Sequence, residues 1–164
     1  MKRRFFALDK DSDRQRAGRD LESLLNNLFN LNGLSPRAPF RVVGEQIDGS
    51  FELDHEIYLI EAKWEKKPCP EADLLVFREK VEGKSKYTRG VFISINGVTP
   101  EGKDAITRGK QPVFFIVDGY DLLMLLENRI DLNTFLRQRQ RILGEEGAIA
   151  VPFRELFAGS RGRY

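Results

Sequence analysis

Leucine recurs at helical spacing in the first third of the chain. Between Arg16 and Leu31 the apolar positions follow an i, i+3, i+4 pattern, which predicts one amphipathic helix. Its apolar stripe comprises Leu21, Leu24, Leu25, Leu28 and Leu31. Asn32-Gly33 follows, and glycine suits the left-handed position at the end of a helix. Residues 1–15 are polar and charged, so we expect a flexible arm there.

Extended and helical patterns alternate through the rest of the chain. Strands are predicted over 40–43, 46–53, 57–64, 90–95 and 112–117, and helices over 71–84, 100–108, 121–126 and 131–143. The order αβββαβ, followed by αβα, predicts an α/β fold with a mixed central sheet and helices on both faces. We expect one domain over residues 16–158 and a basic tail over 159–164.

Composition narrows the class of protein. A chain of 164 residues with 41% hydrophobic and 32% charged residues is typical of a folded, water-exposed domain. One cysteine and one histidine exclude an internal disulfide and a metal site built from several such residues of one chain. The start, MKRRFFALDK, has too short an apolar stretch for a secretion signal, and no segment approaches the ~20 apolar residues of a membrane span. We therefore expect a cytoplasmic protein without a membrane partner.

The predicted hairpin over 46–64 carries the candidate chemistry. If Asp54-His55 is a two-residue turn, Asp48 lies opposite Glu61, with Cβ atoms ~5 Å apart. Lys63 points to the same face as Glu61 because side chains alternate along a strand. Two carboxylates this close repel unless a cation lies between them, and a divalent metal prefers oxygen ligands. The alternative is a surface network of Asp, Glu and Lys without function.

The sequence around these residues resembles that of a known family. Asp48, followed by Glu61-Ala62-Lys63 on the next strand, is similar to the signature of the PD-(D/E)XK nuclease superfamily. The segments EQIDGSF, YLIEAKW and GVFISINGVT resemble its Mrr-like branch of restriction endonucleases, over about residues 16–118. One departure is that Ile47, rather than proline, precedes Asp48. The resemblance implies an αβββαβ restriction-endonuclease-like core and a metal-dependent endonuclease acting on DNA in restriction or phage defence.

The resemblance also implies roles for individual residues. Asp48, Glu61 and the carbonyl of Ala62 would hold Mg²⁺, with Mn²⁺ as a substitute, and Lys63 would lie beside the attacking water. A glutamate of the first helix would complete the site. Glu22 is the candidate, with Asp20 as its competitor, although a glutamate early in a helix is also favoured by the helix dipole alone.

Further residues are candidates for contact with the substrate. Gln46 shares the predicted face of Asp48 and could contact the phosphate, the water or a base. Arg19, Lys66, Lys67 and Ser94 are candidates for phosphate contact, and a solvated surface is the alternative for each cation. The expected partners are DNA and either a second copy of the chain or a larger defence complex. A non-catalytic nucleic-acid-binding module and a junction-resolvase-like nuclease remain the alternative functions.

Overall fold

The computed structural model describes residues 1–157. Its helices are α1 Lys2–Asp9, α2 Arg14–Leu31, α3 Glu71–Glu82, α4 Pro100–Thr107, α5 Gly119–Leu126 and α6 Leu132–Glu146, followed by a 3₁₀ turn at Phe153–Glu155. The strands are β1 Phe40–Val42, β2 Glu45–Ile47, β3 Gly49–Leu53, β4 Glu56–Lys63, β5 Arg89–Ser94 and β6 Phe114–Asp118. None of the helices within residues 1–157 is long and apolar enough to cross a membrane.

The central sheet has the strand order β3-β4-β5-β6, with β3 antiparallel to β4 and the remaining pairs parallel. On one face, Phe29 of α2 stacks on Phe51, whose ring stacks in turn on Tyr58, at 4.6 and 5.0 Å between centroids. On the other face, Phe77 of α3 packs against Phe92 and Phe114. The predicted mixed sheet with helices on both faces is therefore confirmed.

The strand predicted over 46–53 is divided at Asp48. Its first part, β2, pairs with β1 in a separate two-stranded sheet, and its second part, β3, begins at Gly49. The division coincides with a contact from the segment that precedes β1. The backbone of Arg37 exchanges two hydrogen bonds with Ser50, and a Cβ at Gly49, where φ is 156°, would lie 3.0 Å from the Arg37 carbonyl oxygen. Glycine permits this close approach.

The prediction of a flexible arm over residues 1–15 is wrong for most of that segment. Residues 2–9 form α1, and Phe5 and Leu8 are buried in the core. The ring of Phe5 lies 5.1 Å from that of Trp64, directly after β4. Two apolar positions three residues apart give too weak a periodic signal to stand out among basic neighbours. Ala158, at the end of the predicted domain, and the predicted tail 159–164 lie outside the described residues.

The predicted hairpin turn is confirmed at Asp54-His55. Both residues have positive φ, 51° and 67°, and Leu53 pairs with Glu56 across the turn. Positive φ at both central residues is the geometry that matches the twist of a two-residue hairpin. Arg137 of α6 donates two hydrogen bonds of 2.8 Å to the Asp54 carboxylate, which fixes the turn against the helix. The turn sets the register of the strands that carry the candidate site.

Candidate active site

Asp48 occupies the break between β2 and β3. Gly49 pairs with Ile60, so the register continues to Asp48 opposite Glu61, as the turn predicts. Asp48 does not itself join the ladder, however. Its Oδ2 accepts a hydrogen bond of 3.1 Å from the N–H of Ala62, replacing the strand backbone at that point. The carboxylate is thereby held at the end of the β3–β4 pair.

The backbone of Ala62 faces the Asp48 carboxylate. The carbonyl of the following residue, Lys63, accepts from Ile95 beside β5, whereas the N–H of Ala62 donates towards Asp48. An extended residue directs its N–H and C=O to the same edge of the strand, so the carbonyl of Ala62 also faces the Asp48 side. This orientation agrees with the predicted role of that oxygen as a ligand.

Glu61 points to the face of β4 that α3 covers, and only 7% of its surface is exposed. Its Oε1 lies 3.1 Å from Nζ of Lys63, and its Oε2 accepts a hydrogen bond of 2.8 Å from Nζ of Lys80 on α3. A buried carboxylate requires such partners, because its hydration is lost. The sequence interpretation missed Lys80. Its signal was its position, three residues after the buried Phe77, which puts a lysine at the edge of the helix's apolar stripe.

Glu22 approaches from α2 and is half-buried. Burial, followed by the negative charges of Asp48 and Glu61, raises its pKa from 4.5 to about 7. The pKa of Asp48 is also raised, first by burial and then by Glu61. The carboxylate of Asp20, the competing candidate, instead lies 3.9 Å from the guanidinium of Arg4 on α1. The structure therefore brings Glu22, rather than Asp20, into the field of the predicted acidic pair.

The site fits a hard cation by its donor chemistry. Glu22, Asp48 and Ala62 line a narrow cleft of about 10 Å³, close to the space that one water molecule needs. Within residues 1–157 no three His, Cys, Asp or Glu side chains form a ready metal cluster, since Glu61 is turned towards its two lysines. Magnesium needs only one or two carboxylates, with water and substrate oxygens completing its shell. Asp48 and the Ala62 carbonyl meet that requirement, and Glu22 adds negative charge beside them.

Lys63 lies between this cleft and a broader groove. Burial alone would lower its pKa, but attraction and hydrogen bonding from Glu61 outweigh burial and the net direction is upward. Lys63 is therefore a fixed ammonium at neutral pH. It lines the groove together with Arg14, Lys66 and Lys67, of which the last two are exposed. Glu65 and Asp73 line the same groove, so its four cations outnumber two carboxylates and the surface is basic overall.

The remaining predicted residues fall into different places. Arg19 is exposed on α2, and its charge acts on Glu22. Gln46 is exposed on β2, opposite Arg41. Ser94 does not fit its predicted role: it is 1% exposed, and its hydroxyl donates a hydrogen bond of 2.6 Å to the Gly97 carbonyl. The Asn96-Gly97 turn closes over this hydroxyl, which leaves it out of reach of a phosphate.

Arg37 is a further residue at the cleft that the sequence interpretation missed. Arg37 lines the cleft together with Asp48, and its guanidinium lies 3.8 Å from the centre of the Phe40 ring. Its backbone is fixed to Ser50 by the two hydrogen bonds that divide the strand at Asp48. The segment 34–37 carries no regular pattern, so nothing in the sequence indicated that it would return to β3.

The mixed sheet, with an aspartate at a strand break and Glu-x-Lys on the neighbouring strand, is the arrangement of restriction-endonuclease-like nucleases. The family model Mrr_cat, a restriction endonuclease, matches residues 14–126, which include Glu22, Asp48, Glu61 and Lys63. The chain therefore belongs to the Mrr_cat family of restriction endonucleases, and it is a nuclease of the restriction-endonuclease type.

The solved structures that are similar to this chain include the following two. One is the crystal structure of AF1548, a protein of unknown function; it is 18% identical, with a TM-score of 0.49, over 74% of this chain and 76% of that one. The other is the MspJI restriction endonuclease in complex with a 27-mer oligonucleotide; it is 16% identical, with a TM-score of 0.46. That match covers 84% of this chain but only 35% of MspJI. A comparison with curated proteins found no match.

Proposed function

We propose that this protein is a metal-dependent endonuclease that hydrolyses phosphodiester bonds in DNA. The observation that carries the proposal is the convergence of Glu22, Asp48 and Glu61 beside the protonated Lys63, where burial and then the negative charges of Asp48 and Glu61 raise the pKa of Glu22 to about 7. Carboxylates whose pKa is raised by burial and by neighbouring negative charges are costly to the fold, and such groups are concentrated at functional sites. Magnesium is the cation that best suits this oxygen donor set, and manganese is the expected substitute.

Asp48, the Ala62 carbonyl and Glu22 would hold the cation. Glu61, which the resemblance also implied as a ligand, has both carboxylate oxygens on Lys63 and Lys80 and would instead hold Lys63 in place. When bound, the cation supplies Lewis-acid chemistry at the scissile phosphate and charge neutralisation at the leaving oxygen. Lys63 contributes an ammonium fixed by Glu61, which orients the attacking water and stabilises negative charge that develops on the phosphoryl oxygens. Lys80 neutralises the second oxygen of Glu61 and so keeps that carboxylate in position behind Lys63. The basic groove with Lys66 and Lys67 binds the phosphate backbone, and Arg19 adds a cation at the α2 side.

A panel of substrates tests the proposal directly. Linear duplex, supercoiled, single-stranded, branched and methylated DNA are each incubated with wild-type protein and magnesium, with RNA as a further substrate. We expect cleavage of at least one duplex substrate, loss of cleavage in EDTA, and recovery with magnesium or manganese. Asp48→Asn is the matched inactive variant, because its amide keeps the size of the side chain. Cleavage by Asp48→Asn at the wild-type rate would contradict the site assignment.

The panel also separates the alternatives. Within residues 1–157, both oxygens of Glu61 are held by lysines and no three-carboxylate cluster is preformed, which is the observation that favours a non-catalytic DNA-binding module. Binding of DNA without cleavage under every metal condition would support that function. Cleavage confined to branched DNA would instead indicate a junction-resolvase-like nuclease. We include in the proposal a role in restriction or phage defence, in which the protein acts alone, as a homodimer or within a larger complex.

A further inference from the structure

The small sheet of β1 and β2 forms a ribbon, residues 40–47, that stands apart from the central sheet. Its two faces differ in polarity. Phe40 and Ile47 are paired on the inner face, where Ile47 is 1% exposed and Phe40 is half-buried. Arg41 and Gln46 are paired on the outer face, and both are exposed. Within residues 1–157 neither of these two side chains forms an ion pair or hydrogen bond with another residue.

The tip of the ribbon conflicts with ordinary turn chemistry. Val43 and Gly44 form its two-residue loop with φ values of 30° and 82°. A β-branched residue at positive φ is an outlier, since asparagine before glycine is the usual choice in such a turn. Val43 is also fully exposed, and Val42 is partly exposed beside it. A residue that is unfavourable both in its backbone and in its solvation marks a position where function competes with stability.

The base of the ribbon is fixed beside the catalytic cleft. Ile47 is anchored in the core directly before Asp48. Glu45 accepts a hydrogen bond of 2.6 Å from Nζ of Lys84, which follows α3, and Phe40 stacks on the guanidinium of Arg37. Gln46 is two residues from Asp48, which corresponds to about 6.6 Å along an extended chain. The ribbon therefore presents its outer face at a set position relative to the proposed site of cleavage.

We propose that the ribbon enters the major groove of duplex DNA and that Arg41 and Gln46 contact base edges next to the cleaved phosphate. The major groove accommodates a two-stranded β-ribbon. Arginine matches the O6 and N7 acceptors of guanine, glutamine matches the N6 and N7 pair of adenine, and exposed valine suits the methyl group of thymine. The proposal rests on the proposed nuclease function and assigns to it a residue pair that reads sequence.

The test uses one randomised duplex library in two arms. In the first, wild-type protein in EDTA selects bound duplexes, which are sequenced. In the second, the library is cut in the presence of magnesium and the ends are sequenced. The variants are Arg41→Ala, Gln46→Ala and Val43→Asn. Arg141→Ala and Gln111→Ala are matched controls, since Arg141 pairs with Glu145 on α6 and Gln111 lies before β6, at the opposite end of the sheet.

We expect wild type to prefer particular bases at one or two positions near the cut by about 10-fold, within the range for a bidentate base contact. Arg41→Ala and Gln46→Ala should flatten the preference at their own positions, and both controls should retain it. Val43→Asn should melt at a higher temperature yet bind the selected duplexes more weakly. If Val43→Asn gains stability and binds the selected duplexes as tightly as wild type, the tip of the ribbon does not contact the DNA.

Other results would overturn the inference. A flat wild-type profile, or an unchanged profile in both Arg41→Ala and Gln46→Ala, would contradict base contact. A loss of binding that is equal for all sequences would make Arg41 a phosphate contact only. The two arms also separate this inference from the nuclease function. Selection without cutting would leave the ribbon's role intact and refute catalysis, whereas cutting with a flat profile would do the reverse.

Discussion

Replacement of Glu22 by glutamine should stabilise the metal-free protein by an amount that grows as pH rises from 4.5 to about 7. The pKa of Glu22 is raised from 4.5 to about 7 in the folded state, chiefly by burial and further by Asp48 and Glu61. Between these two values the folded protein retains a proton that the unfolded chain has lost. The free energy of unfolding therefore falls as pH rises through this window, and the penalty is complete above pH 7. Glutamine does not ionise, so the variant escapes the penalty.

The magnitude follows from the size of this rise. At 1.36 kcal/mol per pKa unit, a rise from 4.5 to about 7 corresponds to about 3.4 kcal/mol. Glu22 is only half-buried, and water screens part of the interaction, so we expect about 1–2 kcal/mol. For a chain of 164 residues this corresponds to a rise of roughly 2–8 °C in melting temperature.

The assay is urea unfolding of wild type, Glu22→Gln and Asp20→Asn in EDTA from pH 4 to pH 8.5. Asp20→Asn is the matched control, because Asp20 is on the same helix but lies near Arg4. Carboxylates present in both proteins, including Asp48, largely cancel in the comparison. The reasoning is refuted if Glu22→Gln gains no stability at pH 8 relative to pH 4.5, or if Asp20→Asn gains as much. Magnesium should narrow the difference by stabilising wild type more than the variant.

Three further predictions concern the other charges of the site. Asp48→Asn and Glu61→Ala should each abolish cleavage with magnesium or manganese while the circular dichroism spectrum stays native. Calcium should bind to the wild-type protein with little turnover. Cleavage by either variant at near the wild-type rate would disprove the site assignment. Lys63→Ala should keep DNA binding but lose at least ~100-fold in single-turnover cleavage rate. Lys63→Arg should restore little of that rate, because a planar guanidinium does not replace a compact ammonium. Equal losses of cleavage rate and DNA affinity would show that Lys63 is only a phosphate contact. Lys80→Met should destabilise the metal-free protein by about 1–3 kcal/mol in urea unfolding, since Glu61 loses one of its two cationic partners; a urea midpoint equal to that of wild type would show that this ion pair does not stabilise the fold.

The sequence predicted the part of the site that depends on local rules. A two-residue turn at Asp54-His55 determines the pairing of the strands, and this pairing brings Asp48 level with Glu61. Helical periodicity placed Glu22 at the edge of the α2 stripe that faces the sheet. Each of these inferences needs only a repeat length or a turn type, and both are properties of a short segment.

The rest of the site depends on contacts between distant segments. Lys80 reaches Glu61 because α3 crosses the face of β4, and no periodicity along α3 states which strand it will cover. Arg37 approaches Gly49 from an irregular segment, and this approach divides the strand that the alternation predicted as continuous. The hydroxyl of Ser94 faces a carbonyl that a later turn supplies. Such outcomes require the packing of the whole domain.

The pairing of residues 34–37 with β3 has a consequence for assembly. The N–H and C=O of Ser50 bond to Arg37, and the N–H of Glu52 donates to the Leu34 carbonyl, so the outer edge of β3 is already occupied. A second copy of the chain cannot extend the sheet there, as free edge strands commonly allow, without first displacing this segment. Displacement would also release the Arg37 backbone from Gly49 and free Asp48 from its position. If two copies cut opposite DNA strands, they would therefore have to associate through a surface other than the β3 edge, and we expect sheet extension at β3 to inactivate both.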